Sequence, residues 1–367
     1  MTTREAITLI LLLGAVSSGC RAPAPVAATP MSRATEPAST VWPAPAPGRM
    51  YTLLPTPKTV AWGYYDAAAA PVLHVNSGDE VTVRALSTCS PAGLVRAGLD
   101  SSRVEQAARD IYAARSTIRH GPGGHILTGP IYVDGADSGD VLEVRFKSIK
   151  PAIDYACNSL GGNSGFLPED FPGVRRTRII ELDTVRMLGH FAPGITIPLH
   201  PFFGSVGVAP PASMGAVSSA PPGLNAGNLD NRELVTGSSL YIPVWTRGAL
   251  LEIGDGHAGQ GNGEVDITAM ETSLIGRLQL VVHKDMHLAF PRAETPAYYI
   301  AMGTDKDLTA ATKMAVRQAI DMLVSLKGMS REDAYQLISV AGDVDDTQLV
   351  DGNVGVHVMI PKAIFSR

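Results

Sequence analysis

Short runs of alternating apolar and polar residues recur along most of this chain, each bounded by turn-forming residues. Residues 72–75 and 81–84 are two such runs, separated by Asn76-Ser77-Gly78-Asp79. Residues 141–146 alternate cleanly behind Asp137-Ser138-Gly139-Asp140. A period of two places every second side chain on one face, as a half-buried strand requires. Many short strands joined by Gly/Pro turns predict a mainly β fold with a sandwich or barrel-like core. One helical stretch interrupts it at residues 102–114, and residues 158–173 and 209–227 read as long loops.

Past residue 290 the period changes. Apolar residues recur at helical spacing from Leu308 to Leu326 and stop at Gly328, a C-terminal signal. Ser330-Arg331-Glu332-Asp333 is a capping box that opens a second helix running through Val340. Residues 348–350 and 354–360 form a closing strand pair turned by 351–353. The pattern predicts a β-rich domain over residues 49–290 and a smaller α+β portion over 291–367 packed on it.

Composition agrees with this division. Charged residues make up 18% of the 367, against 37 glycines and 27 prolines. That mixture suits a loop-rich β protein better than a helical bundle. The net charge of −5 and the absence of a basic cluster exclude a nucleic-acid partner.

The first twenty residues read as an export signal. Arg4 precedes an apolar run over residues 6–16, then Ser17-Ser18-Gly19-Cys20. The run falls short of the ~20 residues that cross a bilayer. The small residues before Cys20 resemble a bacterial lipobox, with Ser17 where Leu is preferred. Cys20 is therefore the candidate lipidation site, plain secretion being the alternative. Residues 21–48 are rich in Ala and Pro, which suits an extended tether. The expected product is an exported, cell-envelope lipoprotein whose only membrane contact is its N-terminal anchor. Cys89 and Cys157 could pair in an oxidising compartment, but their spacing implies nothing, and they are read as free buried thiols.

The densest chemistry lies in Gly254-Asp255-Gly256-His257-Ala258-Gly259-Gln260-Gly261-Asn262-Gly263-Glu264. Glycine at this density disfavours helix and strand alike, so the segment reads as a tight loop. Residues 239–245 and 250–253 lead into it, and residues 265–271 alternate as its return strand. Polar groups on such a loop can converge on a metal or an acid–base site. A glycine-rich hairpin whose side chains satisfy its own backbone is the alternative.

Several segments together resemble the acetamidase/formamidase family. They are HILTGPIYV at 125–133, PLHPFFG at 198–204, GVAP at 207–210, GNLD at 227–230 and LYIP at 240–243. The run 254–264, Glu271-Thr272 and residues 352–365 complete the set. The resemblance extends from Trp62 to Phe365. This chain departs from it at Ala226 and Asn225, where the family has Gly and often His. The resemblance implies hydrolysis of a short amide to ammonia and a carboxylate, a β-rich core, homo-oligomers and, in some members, a divalent metal.

Amide hydrolysis requires an activated water, a stabilised oxyanion and a proton for the leaving nitrogen. Asp230, Asp255 and His257 are assigned to a metal, the last two sharing a face if the segment is extended. Glu264 is the candidate general base and Glu271 the second. Asn228, Gln260 and His125 are assigned to the substrate carbonyl and amine. Mixed oxygen and nitrogen ligands suit zinc, with calcium or manganese as alternatives. Larger amides, carbamates or ureido compounds remain alternative substrates, and a non-catalytic periplasmic binding protein is the alternative of a different class.

Overall fold

The computed structural model describes residues 48–366. The expected leader, Cys20 and nearly all of the tether lie outside the described residues. Two sheets share one hydrophobic core. The larger has nine strands in the order Met50–Leu53, Glu80–Ala85, Leu274–His283, Val141–Pro151, Ser239–Pro243, Arg292–Glu294, Tyr298–Asp305, Val354–Pro361 and Asp343–Gln348. The other runs Ala226–Asn228, Phe202–Gly207, Leu251–His257, Ile126–Asp134 and Val60–Trp62, and Leu73–Asn76 also pairs with Ile126–Asp134.

Alternation sets the packing. Val81, Val83, Leu142, Val144, Leu278 and Leu280 of the larger sheet meet Ile131, Val133, Phe203, Val206, Leu251 and Ile253 of the smaller. Each such side chain contributes roughly 1.5–3 kcal/mol when fully buried. The mainly β, sandwich-like core expected from the pattern is the one observed.

The strands beyond residue 291 continue the nine-stranded sheet rather than starting a new one. Helices Leu308–Lys327 and Arg331–Ala341 cover that end, burying Ala311, Ala315, Ala319 and Leu323 against Ala301, Val356, Val358 and Ile360. Small residues every fourth position bring the first helix close. A Cβ on Gly303 would lie 2.4 Å from the Ala315 nitrogen. Ser330 caps the second helix by accepting from the Asp333 N–H, and Gly328 ends the first at φ +63°.

Several local expectations are corrected. Residues 254–257 belong not to a loop but to the fully buried strand Leu251–His257, paired on both sides. Crowding explains the glycines: a Cβ on Gly254 would meet Leu127 Cδ2 at 2.6 Å, and one on Gly256 the Thr272 carbonyl at 2.4 Å. Residues 265–271 are turns, with Ile267 at φ +77°, and the return strand is Leu274–His283 in the other sheet. Cys89 and Cys157 are joined in a disulfide and are not free thiols. Residues 158–161 belong to the strand Tyr155–Gly161, which with Arg175–Asp183, Leu188–Ala192 and Ile195–Pro198 forms a four-stranded sheet. The early helix is Gln106–Ala113, and Asp343–Gln348 pairs with Val354–Pro361, starting five residues before the expected strand.

Candidate functional site

The strand Leu251–His257 delivers Asp255 and His257 to one point, with Nε2 of His257 3.4 Å from Asp255 Oδ1. Glu271 enters from the next segment as a single-residue bridge between His257 and Cys157. Its Oε1 lies 3.3 Å from His257 Nε2. Asp230, just past the strand Ala226–Asn228, places Oδ1 3.8 Å from His257 Nδ1. His125, at the start of Ile126–Asp134, points Nε2 at Asp255 Oδ2 from 3.8 Å. With Asn228, Glu264, Asp351 and Thr88, these acids and His125 line a cavity of about 190 Å³.

Unusual backbone aims the acids inward. Asp230, Asp255 and Glu264 lie in the left-handed region at φ +48°, +57° and +42°. Side chains other than glycine rarely adopt it, and such residues concentrate where surrounding structure enforces them. Gly204 makes the opposite contribution by leaving room. A Cβ there would sit 2.3 Å from Asp230 Oδ1, 2.6 Å from Asp255 Oδ2 and 2.9 Å from His257 Cε1.

Five buried or half-buried acids face two imidazoles, so the cavity carries excess negative charge. Burial pushes the Asp230 and Glu264 carboxyls well above the usual range, and neighbouring carboxylates add to it. Burial likewise raises Asp351 to about 6. Burial opposes ionisation of Asp255 too, yet the imidazoles of His125 and His257 hold it at about 2. For His257 burial disfavours the charged ring, but Glu271 and Asp255 raise its proton affinity well above the ordinary value. Protons or a cation must balance this charge.

The hydrogen bonding around His257 favours a cation at one nitrogen. Gln260 Nε2 donates to the Asp230 and Thr347 carbonyls, leaving Oε1 to accept from His257 Nδ1 at 2.9 Å. Nδ1 therefore carries a hydrogen and Nε2 is the free position. Nε2 and Asp230 Oδ1 are both buried with no hydrogen-bond partner, a costly state for polar atoms. Among the described residues, Asp255, His257 and Glu271 form one group with ligand atoms within 4.8 Å, and Asp230, His257 and Glu264 another. With Nδ1 occupied by Gln260, the first group is the better cradle. Its oxygen and nitrogen donors fit a divalent cation.

The structure thus gathers Asp230, Asp255, His257, Glu264, Glu271, His125 and Asn228. Gln260, expected at the substrate, instead lies behind His257 and orients its ring. Asn228 accepts from Ser205 Oγ and donates to Asp230 Oδ2 at 2.6 Å, so its amide is spent on holding Asp230. Three participants escaped the sequence reading. Asp351 stood in an ordinary Asp-Gly turn, Thr88 in no motif, and Gly204 at the end of a quoted segment without a chemical group to mark it.

The sequence model of the Acetamidase/Formamidase family matches residues 105–220 and 211–367. A formamidase of Methylophilus methylotrophus is 25% identical over 310 residues, 65% of this chain and 74% of that one. A formamidase-named protein of Schizosaccharomyces pombe is 26% identical over 196 residues, 38% of this chain. The chain spans about half the length of that relative, 47%. The crystal structure of acetamidase from Yersinia enterocolitica superposes with a TM-score of 0.74 at 27% identity, covering 87% of this chain and 94% of that one. The matches run through the strands and turns that build the acid-lined cavity, and the chain belongs to the Acetamidase/Formamidase family.

Proposed function

We propose that the protein hydrolyses short aliphatic amides, of the size of formamide or acetamide, to ammonia and a carboxylate. One observation carries this reading: five acids and the His125 imidazole line a cavity of only about 190 Å³, with the His257 ring packed against Asp255 and Glu271, within a family frame. A cavity of that size suits a few heavy atoms and a water.

Asp255, His257 and Glu271 would hold a divalent cation, zinc first, with calcium or manganese as alternatives. Such an ion, when bound, polarises the amide carbonyl and acidifies water. The protein's own groups do the rest. Glu264 takes a proton from the attacking water and passes it to the leaving nitrogen. Burial raises its proton affinity above that of an ordinary carboxyl. Asp230, steadied by Asn228, offers Oδ1 to the amide N–H. His125 is oriented by donating Nδ1–H to the Ser219 carbonyl at 3.1 Å, leaving Nε2 for the cavity.

The test is ammonia release from formamide, acetamide and propionamide by purified protein of known metal content. Bound metal with no turnover of any amide would replace this reading with that of a non-catalytic binding protein.

One observation favours a second reading. A cavity of about 440 Å³ adjoins the site, walled by Phe191, Ile197 and Met270, edged by Arg232, and sharing Thr268 with the acid-lined cavity. It would receive the substituent of a larger amide, carbamate or ureido compound, and faster turnover of such compounds than of acetamide would establish it.

Export as a cell-envelope lipoprotein anchored at Cys20 belongs to the same proposal. The Cys89–Cys157 disulfide supports an oxidising compartment. Mass spectrometry of the mature N-terminus tests it. Assembly into a homo-oligomer, which the family implies, is tested by light scattering.

A further inference from the structure

Glu271 is held from two sides, and the same covalent link joins both. On one side Thr88 Oγ1 donates to Glu271 Oε2 at 2.7 Å. On the other, the Cys157 N–H donates to the Glu271 carbonyl at 2.9 Å and the Glu271 N–H to the Cys157 carbonyl at 2.8 Å. The contacts continue along the chain. The Ser87 N–H donates to Ser273 Oγ at 2.9 Å, and Thr272 Oγ1 donates to the Tyr155 carbonyl at 2.8 Å. Residues 271–273 therefore run between the 87–88 segment and the strand Tyr155–Gly161. The disulfide from Cys89 to Cys157 closes the ring around them.

We infer that the Cys89–Cys157 disulfide is a positioning clamp for Glu271, tying Thr88 to the Cys157 strand so that the carboxylate is fixed against His257. This deepens the proposed hydrolase reading and rests on it for the consequence in turnover. Residue 271 has no strand of its own to hold it. It is an isolated bridge between His257 and Cys157. Met270 and Thr272 beside it bond to the 256–259 backbone, which fixes the main chain and leaves the carboxylate to be set by its own contacts. Of the two carboxylate oxygens, Oε2 is fixed by Thr88, and Oε1 accepts from the Ala269 N–H at 2.8 Å while facing His257 Nε2. Freeing the Thr88 segment removes one of the two contacts that set the rotation of the carboxylate, leaving only the Ala269 N–H. Cys89 and Cys157 reach the chemistry only through Glu271, and Thr88, which also lines the cavity, is invoked here for its bond to Glu271, so all three are positioning residues. Partners of this kind, one step removed from a metal or reacting group, commonly change affinity or rate by ~10–100-fold.

The experiment compares the wild type with the Cys89→Ser/Cys157→Ser double variant, Thr88→Val and Thr88→Ser. Three readouts are taken: kcat and KM for acetamide, zinc affinity by calorimetry, and a crystal structure. The clamp predicts that the double variant and Thr88→Val lose kcat by about tenfold or more with KM little changed, and bind zinc correspondingly more weakly. Their crystal structures should show the Glu271 carboxylate displaced from His257. Thr88→Ser, which keeps the hydroxyl, should restore all three. A folded double variant with Glu271 in place and unaltered kcat overturns the inference. Wild-type behaviour of Thr88→Val does the same, and that variant keeps the disulfide, so the test survives if the double variant does not fold. A wild type that turns over no amide refutes the hydrolase reading alone, because the zinc affinity and the position of Glu271 still judge the clamp.

Discussion

Asp255 and His257, two residues apart on one buried strand, meet with His257 Nε2 3.4 Å from Asp255 Oδ1. Alternate residues of a regular strand stand about 6.8 Å apart along its axis. Asp255 itself lies in the left-handed backbone region, φ +57°. The proposed cation cradle would thus lie inside a sheet rather than on the loop that follows it.

His257→Ala should abolish cation binding and reduce amide turnover together, by ~10²–10⁴. Calorimetric titration with zinc and an ammonia assay on the same preparation measure both. A variant still replete with metal and active would remove His257 from the site.

Glu264→Gln separates binding from chemistry. The amide keeps the size of the side chain but cannot accept a proton, so metal content should persist while turnover falls by ~10²–10⁴. Unchanged turnover would take the proton-transfer role away from Glu264.

Gly204→Ala introduces a methyl group where Asp230, Asp255 and His257 converge, 2.3 Å from the nearest oxygen. The acids must splay apart or the strand must move, at a cost of about 1–3 kcal/mol. Denaturant unfolding should register that loss, and zinc affinity should fall in a protein that still folds. Wild-type affinity would show that the cavity floor has slack.

Glu143 links pH to stability away from the site. It is buried, which disfavours its charge, but His283, Arg145 and Ser239 hold its carboxyl down at about 2. A carboxyl with a depressed folded pKa stabilises above its unfolded pKa, near 4.5. That contribution, about 3 kcal/mol, is lost as pH falls through 2. Urea unfolding of the wild type should weaken across this window. Glu143→Gln should be less stable at neutral pH, with the difference from wild type closing toward pH 2.

What the sequence revealed was local. The alternation at 141–146, the helical period from Leu308, the stop at Gly328 and the cap at Ser330 are signals within one element, and each element formed. Asp255, His257 and Glu264 could be suspected because they lie within ten residues of one another. Thr88, Gly204 and Asp351 could not, because only the folded sheets bring them together. The same limit left the possible pairing of Cys89 with Cys157 undecided. Glycine density misled for a related reason: Gly254 and Gly256 are small because neighbouring backbone presses on them, a fact invisible in their own segment.

Three of the cavity's acids occupy a backbone region that glycine would fill with less strain. Evolution in the laboratory toward heat tolerance alone will therefore tend to erase them, since each replacement relaxes the chain while removing a group proposed for the chemistry. Any hardened descendant of this protein needs screening for catalysis at every round, because melting temperature will reward the wrong lineages.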